Sequence, residues 1–79
     1  MKSVKEIRVE RNLTSTKMAN ELGMPLSTYT DKESGRRKFQ PLEIVRICQM
    51  FNVRVEDIKN FYVKDIRNKD FGELNKITI

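Results

Sequence analysis

A short run of polar and basic side chains near the middle of the chain has the chemistry needed to contact nucleic acid. Residues 27–31 carry four hydroxyl groups and one carboxylate, and residues 32–38 hold four cations against a single acid: Lys32, Arg36, Arg37 and Lys38 against Glu33. Hydroxyls and carboxylates hydrogen-bond to base edges, and Lys and Arg bind phosphate. The same side chains would also suit an ordinary solvated basic face, and charge alone leaves both interpretations open.

The composition excludes most enzyme chemistry. The chain has no histidine and a single cysteine, Cys48, so it cannot build a Ser-His-Asp triad, a histidine zinc site, an internal disulfide or a cysteine metal site. Its three glycines, at positions 23, 35 and 72, stand apart and form no phosphate loop. We therefore expect no enzyme activity, no metal, no cofactor and no small-molecule ligand, and we interpret Cys48 as a core residue.

Length and charge indicate one small domain with an anionic partner. The 79 residues form one domain at most, with a thin core. Lys and Arg number 16 against 11 Asp and Glu, a net charge of +5, and nine basic against five acidic residues place +4 of it in residues 1–38. No apolar stretch approaches the roughly 20 residues that span a bilayer, and the first residues lack a signal-peptide core. We expect a cytoplasmic location.

The spacing of apolar residues predicts the elements that must position these side chains. Four helices are expected at about residues 2–11, 14–22, 25–33 and 41–51. Thr14 is expected to cap the second helix and Gly23 to end it. The third helix begins so soon afterwards that the two must cross at a steep angle. A short fifth helix is predicted to carry three apolar or aromatic residues, Ile58, Phe61 and Tyr62. For residues 63–79 a hairpin and a helical extension both remain open.

The third helix has a distinct polar face. With Tyr29 pointing inward and an advance of 100° per residue, Ser27 and Asp31 point nearly opposite to the core. Pro25, Lys32 and Glu33 fall on the core side, whereas Thr28, Thr30 and Ser34 lie on the flanks. Lys32 cannot be buried unpaired, so we expect its stem to pack on the core and its ammonium to reach solvent or a phosphate.

The segment LTSTKMANELGMPLSTYTDKESGRRK resembles the helix-turn-helix of the lambda-repressor-like DNA-binding family, of phage repressor, Cro and XRE type. Leu13, Met18, Ala19, Leu22, Gly23, Tyr29 and the Glu33-x-Gly35 ending fall where that family places core and turn residues. The resemblance covers about residues 4–61. It implies an all-α, compact five-helix DNA-binding domain over residues 1–62, with a C-terminal extension over residues 63–79. Ser15, Pro25 and Lys32 depart from the family pattern.

The resemblance also assigns roles to the polar residues. It implies a sequence-specific regulator of transcription, of repressor type, that binds double-stranded DNA with the third helix in the major groove. Base reading falls to Ser27, Thr28, Thr30 and Asp31, although the Asp31 carboxylate would alternatively only repel phosphate. Phosphate binding falls to Thr14, Ser15, Lys17, Lys32, Ser34, Arg36, Arg37 and Lys38. Arg8 and Glu33 match the ion pair that joins the first helix to the third.

Two further expectations concern partners. One helix with short polar side chains discriminates poorly among DNA sites, so we expect a homodimer on a palindromic site. Its apolar contact is predicted at the fifth helix and beyond, from Ile58, Phe61, Tyr62, Val63 and Ile66. The competing hypothesis is an antitoxin-like module that acts mainly by binding a partner protein through its C-terminal residues.

Overall fold

The computed structural model describes residues 1–62, and this part of the chain is all-α. It contains four α-helices and one 3-10 turn: α1 (Val4–Glu10), α2 (Ser15–Glu21), α3 (Leu26–Ser34), α4 (Pro41–Phe51) and the turn Val55–Asp57. No helix in residues 1–62 is long and apolar enough to cross a membrane. The hairpin or helical extension expected after residue 62 lies outside the described residues.

Side chains cap the starts of the first two helices. The Ser3 hydroxyl accepts a hydrogen bond from the Glu6 N–H at 3.1 Å, and the Glu6 carboxylate accepts one from the Ser3 N–H at 3.0 Å. These reciprocal bonds satisfy two N–H groups that an uncapped helix would leave unpaired. The Thr14 hydroxyl accepts from the Lys17 N–H at 3.0 Å, as the sequence predicts for α2.

Residues in the left-handed conformation end the helices. Asn12 follows α1 with φ 58°, Gly23 follows α2 with φ 66°, Gly35 follows α3 with φ 92°, and Asn52 follows α4 with φ 55°. Glycine and asparagine adopt this conformation at lower cost than other residues. After Gly23 the chain needs only Met24 and Pro25 before α3 begins, so α2 and α3 form the tight pair that the sequence predicts.

The core joins all four helices to the segment after α4. Its largest fully buried side chains come from α2, α3, α4 and the residue after the 3-10 turn: Met18, Tyr29, Ile47, Phe51 and Ile58. Cys48, in the middle of α4, is also buried, at 3% exposure. Phe39, in the loop before α4, has its ring centroid 6.1 Å from that of Tyr29 and 5.7 Å from that of Phe61.

The predicted fifth helix does not form within the described residues. Only Val55–Asp57 is helical, as a single 3-10 turn. Ile58 is extended and pairs with Lys2 in an isolated parallel bridge, in which the Lys59 N–H donates to the Lys2 carbonyl at 2.8 Å. Asn60 then takes φ 70°, which a helix cannot accommodate. Within the segment, the Ile58 N–H donates to the Val55 carbonyl and the Phe61 N–H to the Ile58 carbonyl, both at 3.2 Å, so it forms single turns and a bridge to the N-terminus in place of a helix.

Candidate nucleic-acid interface

The exposed face of α3 carries short polar side chains. Ser27 and Thr30 are exposed, and Thr28 and Asp31 are half-buried. The Thr30 hydroxyl donates to the Ser27 carbonyl at 2.9 Å, which orients the side chain and leaves oxygen lone pairs free to accept. Tyr29, fully buried on the opposite side, fixes which way this face points. The face can therefore donate to and accept from base edges in a groove.

The start of α2 offers a second polar group. Thr14 caps the helix and remains exposed, Ser15 is half-buried, and Lys17 is exposed. The Lys17 ammonium lies 3.0 Å from a Glu21 carboxylate oxygen, and both side chains are largely solvated. Such a pair contributes at most about 1 kcal/mol, so a phosphate can compete for the lysine.

The loop after α3 concentrates exposed cations. Arg36, Arg37 and Lys38 are all exposed. The Arg36 guanidinium approaches an Asp31 carboxylate oxygen at 3.7 Å, too far for a good hydrogen bond. The Ser34 hydroxyl donates to the Asp31 carbonyl at 3.0 Å. The structure thus brings Asp31, Ser34 and Arg36 together at the C-terminal end of α3, where cations also complement the helix dipole.

A buried ion pair connects α1 with α3. The Arg8 Nε donates to Glu33 Oε2 at 2.8 Å, and the two side chains are only 11% and 9% exposed. The hydrogen bond from the guanidinium to Glu33 raises the pKa of Arg8, so its charge is secure. A second Arg8 nitrogen donates to the Leu13 carbonyl at 2.8 Å. The pair therefore holds α1, the turn before α2 and α3 at fixed positions.

Tyr29 completes this cluster, a role that the sequence reasoning missed. Its hydroxyl donates to Glu33 Oε2 at 2.6 Å. Burial, followed by the hydrogen bond to Glu33, raises the pKa of the Tyr29 hydroxyl well above its usual range, so it remains a donor. The available signal was spacing, since residues four apart on a helix are neighbours on its surface.

The Lys32 ammonium does not lie in solvent, contrary to the expectation from the sequence. Its ammonium lies 2.6 Å from Glu43 Oε1 on α4, and the two side chains are 10% and 21% exposed. The helical angle placed the lysine correctly on the core side, but the carboxylate that meets it lies on the next helix. The ammonium therefore has an anionic partner within the domain, and the pair joins α3 to α4.

Two of the predicted dimer residues belong to the core of the single chain. Ile58 is fully buried and Phe61 is 6% exposed, packed against Phe39. Because both side chains pack inside the domain, they cannot form an outer contact without unfolding this end of it. Tyr62 is 52% exposed. Val63 and Ile66 lie outside the described residues.

The comparison with protein families gives one match. A family model described as helix-turn-helix matches residues 4–58, which is more than half of the chain and extends from α1 to the residue after the 3-10 turn. Comparisons with curated proteins and with solved structures found no match. The matched region includes α2, α3 and the basic loop, and so every described residue of the candidate interface.

Proposed function

Since the chain belongs to the helix-turn-helix family of XRE and lambda-repressor-like DNA-binding transcription regulators, we propose that it recognises one double-stranded DNA sequence and acts as a repressor. In this proposal α3 enters the major groove. Its N-terminal half and centre supply the base contacts, and the start of α2 and the loop after α3 bind the flanking phosphates.

The observation that carries this proposal is the contrast between the two sides of α3. Its inner side is fixed by the buried Tyr29 and by the Arg8–Glu33 pair, whereas its outer side exposes Ser27 and Thr30. A rigid helix that presents unburied donors and acceptors is suited to read base edges. Asp31 adds an acceptor for the amino group of cytosine.

The phosphate contacts follow from the exposed cations and from the cap of α2. Arg36, Arg37 and Lys38 are exposed in one loop, and Lys17 is held only by a solvated ion pair. Together with Thr14 and Ser15 at the start of α2, and Ser34 at the end of α3, they provide about 4–6 phosphate contacts per monomer.

We propose that two copies bind a palindrome. The base-reading side chains of one α3 are short, and serine and threonine cannot make the bidentate contacts that discriminate best. A twofold dimer doubles the contacts and places its two recognition helices about 34 Å apart. With Ile58 and Phe61 occupied in the core, we propose that the dimer contact begins at the exposed Tyr62 and continues into Val63 and Ile66.

Selection of bound DNA from a random pool tests the proposal directly. We expect enrichment of one sequence with two inverted half-sites whose centres are about 10 base pairs apart. Enrichment of a single unrepeated half-site would contradict the dimer but would still support sequence-specific DNA binding by one copy. If no sequence were enriched, sequence-specific recognition would be wrong, and the competing protein-binding module would be favoured.

The phosphate contacts predict a strong dependence of affinity on salt. We expect the logarithm of the association constant to fall with the logarithm of salt concentration at a slope of about −4 per monomer, because each of the four cations contributes about −0.9. Lys38→Ala should weaken binding to all sequences alike and flatten this slope by about one. Lys5→Ala removes the same charge from the exposed face of α1 and is the matched control. A slope near zero, or equal effects of the two variants, would contradict the phosphate assignment.

A further inference from the structure

Lys32 and Glu43 connect the end of the recognition helix to the start of α4. The Lys32 ammonium donates to Glu43 Oε1 at 2.6 Å, and the same oxygen accepts a hydrogen bond from the Gln40 N–H at 2.8 Å. Glu43 therefore fixes both the lysine on α3 and the last loop residue before α4. The lysine side chain is 10% exposed, so water competes little for its ammonium.

These bonds close one end of the basic loop, whose other end is also fixed. Directly after Gly35, the Arg36 N–H donates to the Asp31 carbonyl at 2.9 Å and the Arg37 N–H to the same carbonyl at 3.3 Å. Phe39 packs against the rings of both Tyr29 and Phe61. The exposed cations of the loop thus lie between a helix cap and an aromatic anchor, and the Lys32–Glu43 pair joins the two helices that carry these fixed points.

We infer that the Lys32–Glu43 pair is a positioning device for DNA binding, which rests on the function proposed above. It sets the distance and orientation between α3, which reads bases, and the loop cations that bind phosphate. Lys32, Arg37 and Lys38 line the same open groove of about 650 Å³, so the lysine and the loop cations share one surface of the domain. Without Glu43, the ammonium would be one more unneutralised cation beside this loop.

The test measures DNA binding by two variants that remove one charge each and keep side-chain size. Lys32→Met retains most of the stem, and Glu43→Gln retains an oxygen for the Gln40 N–H. The control is Lys2→Met, which removes a lysine charge from the solvated Lys2–Glu10 pair, where the side chains are 56% and 51% exposed. All proteins are compared on the selected DNA, at a temperature where circular dichroism shows each to be folded.

If the pair positions the loop, the effects of these substitutions on DNA affinity should be non-additive, which a simple loss of stability does not predict. Lys32→Met and Glu43→Gln should each weaken binding by about tenfold, and the double variant should be no weaker than either, because all three lose one interaction. The salt slope should flatten by about one, as phosphate contacts of the loop are lost. Arg37→Ala should also weaken binding less in the Lys32→Met background than in the wild type, and Lys2→Met should leave its effect unchanged.

A readout without DNA separates this inference from the proposed function. Hydrogen exchange of the Arg36 and Arg37 amides should be faster in both variants, because the loop is released. Unchanged exchange together with additive effects of Lys32→Met and Arg37→Ala would overturn the inference. Tighter DNA binding by Glu43→Gln would also overturn it, since Glu43 would then only restrain a phosphate-binding lysine. A wild-type chain that binds no DNA would instead refute the proposed function.

Discussion

Replacing Glu33 with alanine should lower the free energy of unfolding by about 3–5 kcal/mol and abolish DNA binding. The carboxylate accepts hydrogen bonds from both Arg8 and Tyr29 at a site where the two charged side chains are about one-tenth exposed. Its removal leaves the buried Arg8 guanidinium and Tyr29 hydroxyl without their acceptor, and it breaks the ion pair that joins α3 to α1. For a domain of this size the melting temperature should fall by about 12 °C or more.

Two variants make this measurement specific. Glu10→Ala breaks an ion pair whose side chains are half exposed, so it should change stability by no more than about 1 kcal/mol. Glu33→Gln keeps the shape and an acceptor for Tyr29, and its effect should fall between these extremes. Urea unfolding monitored by circular dichroism measures all three. A folded Glu33→Ala protein with wild-type DNA affinity would refute the role assigned to the cluster.

Phe61→Ala should cost about 3–5 kcal/mol of stability, although Phe61 follows the last helical turn of the described chain. Its ring is 6% exposed and meets Phe39 edge-on, at a centroid distance of 5.7 Å. The substitution removes an aromatic side chain from the core and also the support behind Phe39, which anchors the basic loop. Thermal melts should show a loss comparable with that of Glu33→Ala.

The adjacent aromatic residue is the natural control. Tyr62 is 52% exposed, so Tyr62→Ala should cost far less than Phe61→Ala in the same melts. Equal losses for the two variants would contradict the placement of Phe61 in the core. The difference also matters for truncation experiments, because a chain ending at Asn60 lacks a core residue. Loss of DNA binding by that truncation would therefore not demonstrate a dimer contact.

The parts of the fold that follow local rules were predictable from the sequence. Thr14 caps α2 and Gly23 ends it, since each of these depends on one residue and its near neighbours. The core position of Tyr29 was implied by the family resemblance. The fifth helix failed for the opposite reason. Ile58, Phe61 and Tyr62 have helical spacing, but the backbone at Ile58 pairs with Lys2, which lies far away in sequence. The spacing of apolar residues gives no information about a backbone pairing with a distant segment of the chain.

The candidate interface shows the same division. Helical geometry separated the outward Ser27 from the inward Lys32, and the family resemblance pointed to Arg8 and Glu33. Neither argument revealed that Glu43 neutralises Lys32, because that contact depends on how α3 and α4 pack. Hydrogen-bond partners across helices require the tertiary arrangement, which one sequence does not specify at the level of single side chains.

The burial of Cys48 gives the protein a built-in reporter. Burial raises the pKa of this thiol to about 11, and only the thiolate reacts readily with alkylating reagents. At neutral pH the side chain can be labelled only when the domain opens, so the labelling rate measures how often α4 leaves the core. A DNA that binds only the folded chain reduces the open population and slows labelling. The rate at which this one native thiol is alkylated can therefore detect ligands of the folded chain, with no engineered label.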